Sequence, residues 1–231
     1  MNLTGNEIAR MVDLSAVKAE DSEQTIENLV SYARKYHCHL VTTLPSQTPL
    51  AWQLLRDEPE IGVGGNIGFP SGGQTTGIKV AETRELIEMG CTELDMVINI
   101  GKLVSGCYDE VLQDIQGVVD AAEGTLLKVI LECHYLSEDQ IRKACDLSIG
   151  AGADFVKTGT GWAPSGATLE NVRLIKSHVG DAIAIKASGG IRTLDTLLEM
   201  YRLGARRFGI GLGWAVKILD QAMAAPEGFE L

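Results

Sequence analysis

Ala182-Ile183-Ala184-Ile185-Lys186-Ala187-Ser188 is a strand-like apolar run broken by one lysine, and Gly189-Gly190-Ile191-Arg192-Thr193 follows it as a turn. Beyond the turn, Leu194 to Leu203 has helical spacing, and Arg206 to Leu212 reads as strand again. Strand, glycine turn, helix, strand is one βα unit, and the chain repeats it. Towards the amino terminus the predicted strands are Asp154 to Thr160, Leu126 to Glu132, Glu93 to Asn99, Ile61 to Ile67, Leu40 to Leu44 and Ile8 to Ser15. The predicted helices are Ser22 to Lys35, with Ile26, Leu29, Val30 and Ala33 on one face, then Lys79 to Met89, Asp109 to Ala122, Glu138 to Gly150 and Leu169 to Val179. Strand starts advance from residue 8 to residue 206 in seven steps, so one unit takes about 28 residues.

Parallel strands joined by helices form either an open doubly wound sheet or a closed barrel. Eight units select the barrel, an α/β fold of the (β/α)8 or TIM type, which typically needs ~250 residues. With 231 residues there is little room for anything else, so 1–231 is expected to be a single domain. The alternative open sheet would place Asp13-Leu14-Ser15 at its first βα turn, which is no glycine fingerprint, and a dinucleotide is not expected.

Composition narrows the function classes. The chain is 45% hydrophobic and 22% charged, which excludes a disordered tail, a collagen-like repeat and a disulfide-stapled miniprotein. Its 20 Lys and Arg against 31 Asp and Glu give a formal charge of −11, so nucleic acid and anionic membrane surfaces are not expected partners. Apolar stretches fall far short of the ~20 residues that span a bilayer, and the amino terminus has no signal-like pattern. Cys38, Cys91, Cys107, Cys133 and Cys145 form no C-x-x-C pair. Reduced thiols and a cytoplasmic location are expected.

Barrel enzymes place reacting groups at the carboxyl ends of strands. Asp95, Asn99, Lys128, Glu132, Lys157, Thr158 and Lys186 are the polar residues late in apolar runs. An isolated strand-end lysine is most simply solvated. Lys157 and Lys186, however, lie on successive strands ~4.8 Å apart, where repulsion and desolvation both favour a neutral amine. Such an amine forms Schiff bases with carbonyl substrates. Period-two alternation turns Asp95, Val97 and Asn99 to the barrel interior, so Asp95 can hold one lysine charged while the other attacks. Spacing does not say which lysine attacks. Ser188-Gly189-Gly190-Ile191-Arg192-Thr193 and Gly209-Ile210-Gly211-Leu212-Gly213 follow strands 7 and 8, where this barrel commonly binds phosphate. Among the histidines only His37 and His39 cluster, ahead of strand 2. No zinc motif completes them, so surface histidines and no metal are expected. Trp52, Trp162 and Trp214 are read as core or rim packing, with Trp162 a candidate pocket wall.

Three motifs together, Asp154-Phe155-Val156-Lys157-Thr158-Gly159-Thr160-Gly161, Ile185-Lys186-Ala187-Ser188-Gly189-Gly190-Ile191-Arg192-Thr193 and Glu93-Leu94-Asp95-Met96-Val97-Ile98-Asn99, resemble those of the deoxyribose-phosphate aldolase family. The resemblance runs from about Asp13 to about Gly211. It implies a class I aldolase, a lyase of carbohydrate catabolism, that reversibly splits 2-deoxyribose 5-phosphate into acetaldehyde and glyceraldehyde 3-phosphate without a cofactor. It implies Lys157 as the Schiff-base lysine, Lys186 as the lysine that perturbs it, and Asp95 as the carboxylate that relays protons. Asp13, Lys128, Thr158, Gly189, Gly190 and Gly211 take substrate-binding positions by the same resemblance. The chain departs from the family pattern at Thr42-Thr43-Leu44-Pro45, where a cysteine is usual, and at Gly159, where a serine is usual. Gly211 and Leu212 stand for two phosphate-binding serines. A related aldolase acting on a different sugar, or a noncatalytic sugar-phosphate-binding barrel, are the competing readings. The acidic surface permits a monomer, and the family often forms homodimers.

Overall fold

A computed structural model of the chain describes residues 2–225 and 227–230. Eight parallel strands close into one barrel: β1 (Val12–Ala16), β2 (Leu40–Thr43), β3 (Gly62–Ile67), β4 (Glu93–Val97), β5 (Leu126–Ile130), β6 (Phe155–Lys157), β7 (Ala184–Ser188) and β8 (Arg207–Gly211). Each strand pairs with its neighbour in sequence, and β8 closes on β1 with Asp13 beside Gly209. The expected (β/α)8 fold is the observed one.

Helices cover the outside because every strand alternates. Leu94 and Met96 of β4 are fully buried in the apolar layer, while Asp95 between them is also buried but faces the lumen. The main outer helices are α1 (Glu23–Tyr36), α2 (Thr48–Leu55), α3 (Thr76–Glu88), α4 (Tyr108–Ala122), α5 (Glu138–Ala151), α6 (Leu169–Val179), α7 (Leu194–Arg202) and α8 (Leu212–Met223). Ser22 and Ser137 start α1 and α5 as capping boxes, which satisfy amide groups that the first turn leaves without partners. Buried Ile26, Leu29, Val30 and Ala33 form the inner stripe of α1, at the spacing read from the sequence.

Three sequence expectations need correction. Ile8 and Ala9 do not begin the first strand. Thr4 and Glu7 form a capping box that starts a short helix, Gly5–Ala9, whose apolar side is buried and whose Gly5 approaches the Ala222 carbonyl closely. The strand therefore begins at Val12. The β2 to β3 connection, for which no helix was expected, contains α2 with Pro49 in its first turn, where a missing amide costs nothing. Likewise Leu212 opens α8 and does not end β8. A short antiparallel pair, Asn2–Leu3 with Phe229–Glu230, joins the two ends of the chain.

Candidate active site

The lumen of the barrel is ionic. Alternation and register bring Asp13, Asp95, Lys128, Lys157, Lys186 and Arg207 to the inner face, with Lys157 beside Lys186 and Lys186 beside Arg207. Glu93, two residues before Asp95, shares that face. These seven charges are joined by short contacts. Arg207 Nη2 reaches Asp13 Oδ1 at 2.5 Å and Glu93 Oε2 at 2.9 Å. Lys128 Nζ lies 2.7 Å from Glu93 Oε2 and 2.9 Å from Asp95 Oδ1. Lys186 Nζ lies 2.7 Å from Asp95 Oδ2 and 2.6 Å from Asp13 Oδ2. Asp13, Arg207, Glu93, Lys128, Asp95 and Lys186 thus form a closed ring in which anion and cation alternate.

Lys157 is the seventh charge and has no carboxylate of its own. Its Nζ donates to Asp95 Oδ2 at 2.6 Å, the same oxygen that Lys186 uses. The ring is neutral without it. Burial, and then the charges of Lys186 and Lys128, therefore outweigh Asp95 and lower its pKa from 10.5 to about 8. Lys128 is as deeply buried, yet the charges of Asp95, Asp13 and Glu93 overcome desolvation and raise its pKa. Burial pushes Asp95 upward, but Lys128, Lys157 and Lys186 together hold it well below the ordinary carboxylate range. Asp13 is lowered too, with Lys186 and Arg207 prevailing over burial. Lys157 also keeps 5% exposure, whereas Lys186 has 1% and Lys128 none.

Above the ring lies a cavity of about 290 Å³. Ser188 and Gly209, register partners one inward step beyond Lys186 and Arg207, belong to its wall. Gly189, Gly190 and Gly211 line it as well, with Arg192, Lys18 and Trp214 nearer the rim. Gly189 and Gly190 have φ of 92° and 103°, so this turn requires glycine for its path. Arg192 lies 5.6 Å over the Trp214 ring. Trp162 is half exposed; its Nε1 donates to the Val17 carbonyl at 2.7 Å, and Lys18 lies 5.8 Å over its ring.

The other sequence candidates lie around these groups. Asp13 and Lys128 are fully buried in the ring and, like Asp95, Lys157 and Lys186 beneath the cavity floor, are not among the residues that line it. The Thr158 hydroxyl donates to the Ser188 carbonyl and accepts from the Ser188 amide, so it ties β6 to β7. Asn99 caps a short helix, Ile100–Val104, by accepting from the Lys102 amide. Glu132 is buried with φ of 53° and accepts from the Thr160 amide and hydroxyl. Burial, only partly offset by those bonds, raises its pKa. A Cβ on Gly159 would meet Glu132 Oε1 at 2.8 Å and the Gly166 backbone at 3.1 Å, which accounts for glycine there. His39 is not a simple surface histidine: it is half-buried, 2.8 Å from Glu93 Oε1 at the amino-terminal end of the barrel. Glu93 and Arg207 were not among the sequence candidates. Both follow from alternation, counted back from Asp95 and from Gly209, but they sit at strand starts, the end of a barrel opposite its reacting groups. Among the described residues no group of three or more His, Cys, Asp or Glu side chains is arranged to hold a metal ion.

Residues 8–216 match the family described as DeoC/LacD family aldolase. The chain belongs to that family. A deoxyribose-phosphate aldolase of Klebsiella pneumoniae is 46% identical over 231 residues, covering 99% of this chain and 93% of the relative. One of Sinorhizobium medicae is 44% identical, covering 97% and 91%. A solved deoxyribose phosphate aldolase of Aeropyrum pernix, described as tetrameric, superposes with a TM-score of 0.86 at 29% identity, covering 94% of this chain and 92% of that one. The chain is accordingly a class I aldolase, a carbon–carbon lyase on a TIM barrel. No described helix is long and apolar enough to cross a membrane.

Proposed function

We propose that the chain, read as one aldolase domain over 1–231, cleaves 2-deoxyribose 5-phosphate reversibly into acetaldehyde and glyceraldehyde 3-phosphate, with Lys157 as the covalent residue. One observation carries the assignment of the lysine: Lys157 is the surplus cation of an otherwise neutral ring. A pKa of about 8 leaves roughly a tenth of it as free amine at pH 7, against under a thousandth at an ordinary lysine pKa of ~10.4.

The neutral Nζ attacks the aldehyde carbon of the open-chain sugar. The resulting carbinolamine loses water to give an iminium ion. Deprotonation of the C3 hydroxyl then breaks the C2–C3 bond, releasing glyceraldehyde 3-phosphate and leaving an enamine on Lys157. Protonation of that enamine and hydrolysis release acetaldehyde and the free amine. Asp95 and Lys186, both within hydrogen-bond reach of Nζ or its partner oxygen, are the groups that move the protons, directly or through water. Asp13 and Lys128 act through them as positioning residues. The phosphate lies at Gly189, Gly190 and Gly211, whose backbone borders the cavity.

The cytoplasm is the compartment this reading favours, the five cysteines all being free thiols, and a homodimer is the proposed assembly. The test is direct. Purified protein is incubated with 2-deoxyribose 5-phosphate, and acetaldehyde is measured with alcohol dehydrogenase and NADH. Stoichiometric formation of acetaldehyde and glyceraldehyde 3-phosphate supports the proposal; no turnover of this sugar, with turnover of another aldose, overturns the substrate.

A further inference from the structure

We propose that Glu93 and Arg207, at the amino-terminal end of the lumen and outside the substrate cavity, are positioning residues that set the protonation state of Lys157 by completing the charge balance of the ring. The proposal rests on the reading of Lys157 as the reacting amine. It starts from an asymmetry: of the seven lumenal charges, six alternate in a closed circuit and one hangs from it. Any change to the circuit's net charge must be felt at the seventh position, because no water-rich space separates them and all seven residues have exposures of 9% or less.

The contacts define who faces whom. Lys157 on β6 faces Asp95 on β4, Lys128 on β5 and Lys186 on β7, with Glu132 beyond the end of β5. Glu93 faces Lys128, Arg207 and the His39 ring. Arg207 faces Asp13 and Glu93 through four hydrogen bonds, a fork that holds two carboxylates at fixed separation and shares their charge. From Glu93 the path to Lys157 runs through Lys128 and Asp95 by contacts of 2.7, 2.9 and 2.6 Å. An elementary charge ~10 Å away at an effective dielectric constant of ~20 moves a pKa by roughly one unit.

The sign of each substitution follows. Glu93→Gln removes an anion, leaves the ring one charge positive and makes protonated Lys157 less favourable. Arg207→Gln removes a cation and does the reverse. Together they remove a neutral pair. A residue that merely supported the fold would not move the same titration in opposite directions and restore it in combination.

The experiment measures the rate of trapping by cyanoborohydride with acetaldehyde from pH 5.5 to 10, read by intact mass and peptide mapping. The midpoint on Lys157 is expected to fall by about one pH unit in Glu93→Gln, to rise by about one in Arg207→Gln, and to return close to the wild-type value in the double variant. Shifts in the same direction, or an unmoved midpoint in folded variants, overturn the proposal. If the single variants do not fold, titration of wild-type protein with ¹⁵N-labelled lysine side chains decides it: Lys128 must stay protonated where Lys157 has released its proton, and joint titration of the two overturns the charge-balance account. Label on another lysine in the wild-type enzyme would instead defeat the functional reading, and is distinguishable from an unmoved midpoint on Lys157.

Discussion

Replacing Lys157 by methionine should make the protein more stable while abolishing its chemistry. Methionine is close in length and apolar, and its removal of the ammonium leaves Asp95 still paired with Lys128 and Lys186, so no buried charge is orphaned. The gain can be sized from the displaced pKa. The unfolded chain holds Lys157 near 10.5 and the fold lowers it to about 8; at 1.36 kcal/mol per pH unit this lowering costs the native state about 3 kcal/mol. Below pH 8 both states carry the proton and the fold bears the full cost. Between pH 8 and 10.5 the unfolded chain still binds a proton that the native state has released, so wild-type stability rises through that window relative to the variant. Urea unfolding should therefore show Lys157→Met ahead by about 3 kcal/mol at pH 7 and by only about 1 kcal/mol at pH 9.5. A variant no more stable than wild type at pH 7, or a gain that does not shrink with pH, would refute the claim that Lys157 is held as an excess charge.

Three other outcomes follow from the same geometry. Lys186→Leu removes a ring cation and leaves Asp13 and Asp95 short of a partner: turnover at pH 7 should fall at least a hundredfold, the acid limb should move up by roughly one pH unit, and stability should drop by about 3–5 kcal/mol, measured by steady-state kinetics and denaturation. Unsaturated aldehydes such as crotonaldehyde should leave the enzyme active, because position 42 is threonine, Cys38, Cys91 and Cys145 are buried with thiols pushed up to about 12, and Cys133 is buried and raised as well. Intact mass and peptide mapping after incubation check this, with thiol adducts expected only at half-buried Cys107. Gly211→Ser should lower the KM for deoxyribose 5-phosphate by about tenfold with kcat nearly unchanged, since a new hydroxyl contact to phosphate acts as uniform binding. There is room for it, the nearest atom to a Cβ at Gly211 being the Ser15 carbonyl oxygen at 4.0 Å.

The barrel was legible because its signal is redundant: eight apolar runs at near-constant spacing leave few topologies. The differences between sequence expectation and structure are local. Ile8 and Ala9 look like strand because both helix and strand bury short apolar runs, and only Thr4 with Glu7 separates the two. The helix Thr48–Leu55 was hidden by its Pro49, a breaker everywhere except in a first turn. At the site, alternation placed Asp95 inward and adjacency brought Lys157 beside Lys186, so the trio was readable from residues alone. The choice between the lysines was not, because it depends on how three carboxylates are divided among four cations. That division is set by register across six strands, with Glu93 and Arg207 at the far end of the lumen. The same holds for Thr158, whose position beside Lys157 suggests contact with substrate but whose hydroxyl is taken by the backbone of Ser188.

Lys157, proposed as the amine that forms the Schiff base, can be trapped chemically. Incubating the enzyme with acetaldehyde and borohydride, then mapping the modified peptide by mass spectrometry, tests it most directly. One reduced two-carbon adduct per chain is expected, on Lys157, with a pH dependence centred near 8. An adduct on Lys186 or Lys128, or none at any pH, would contradict it.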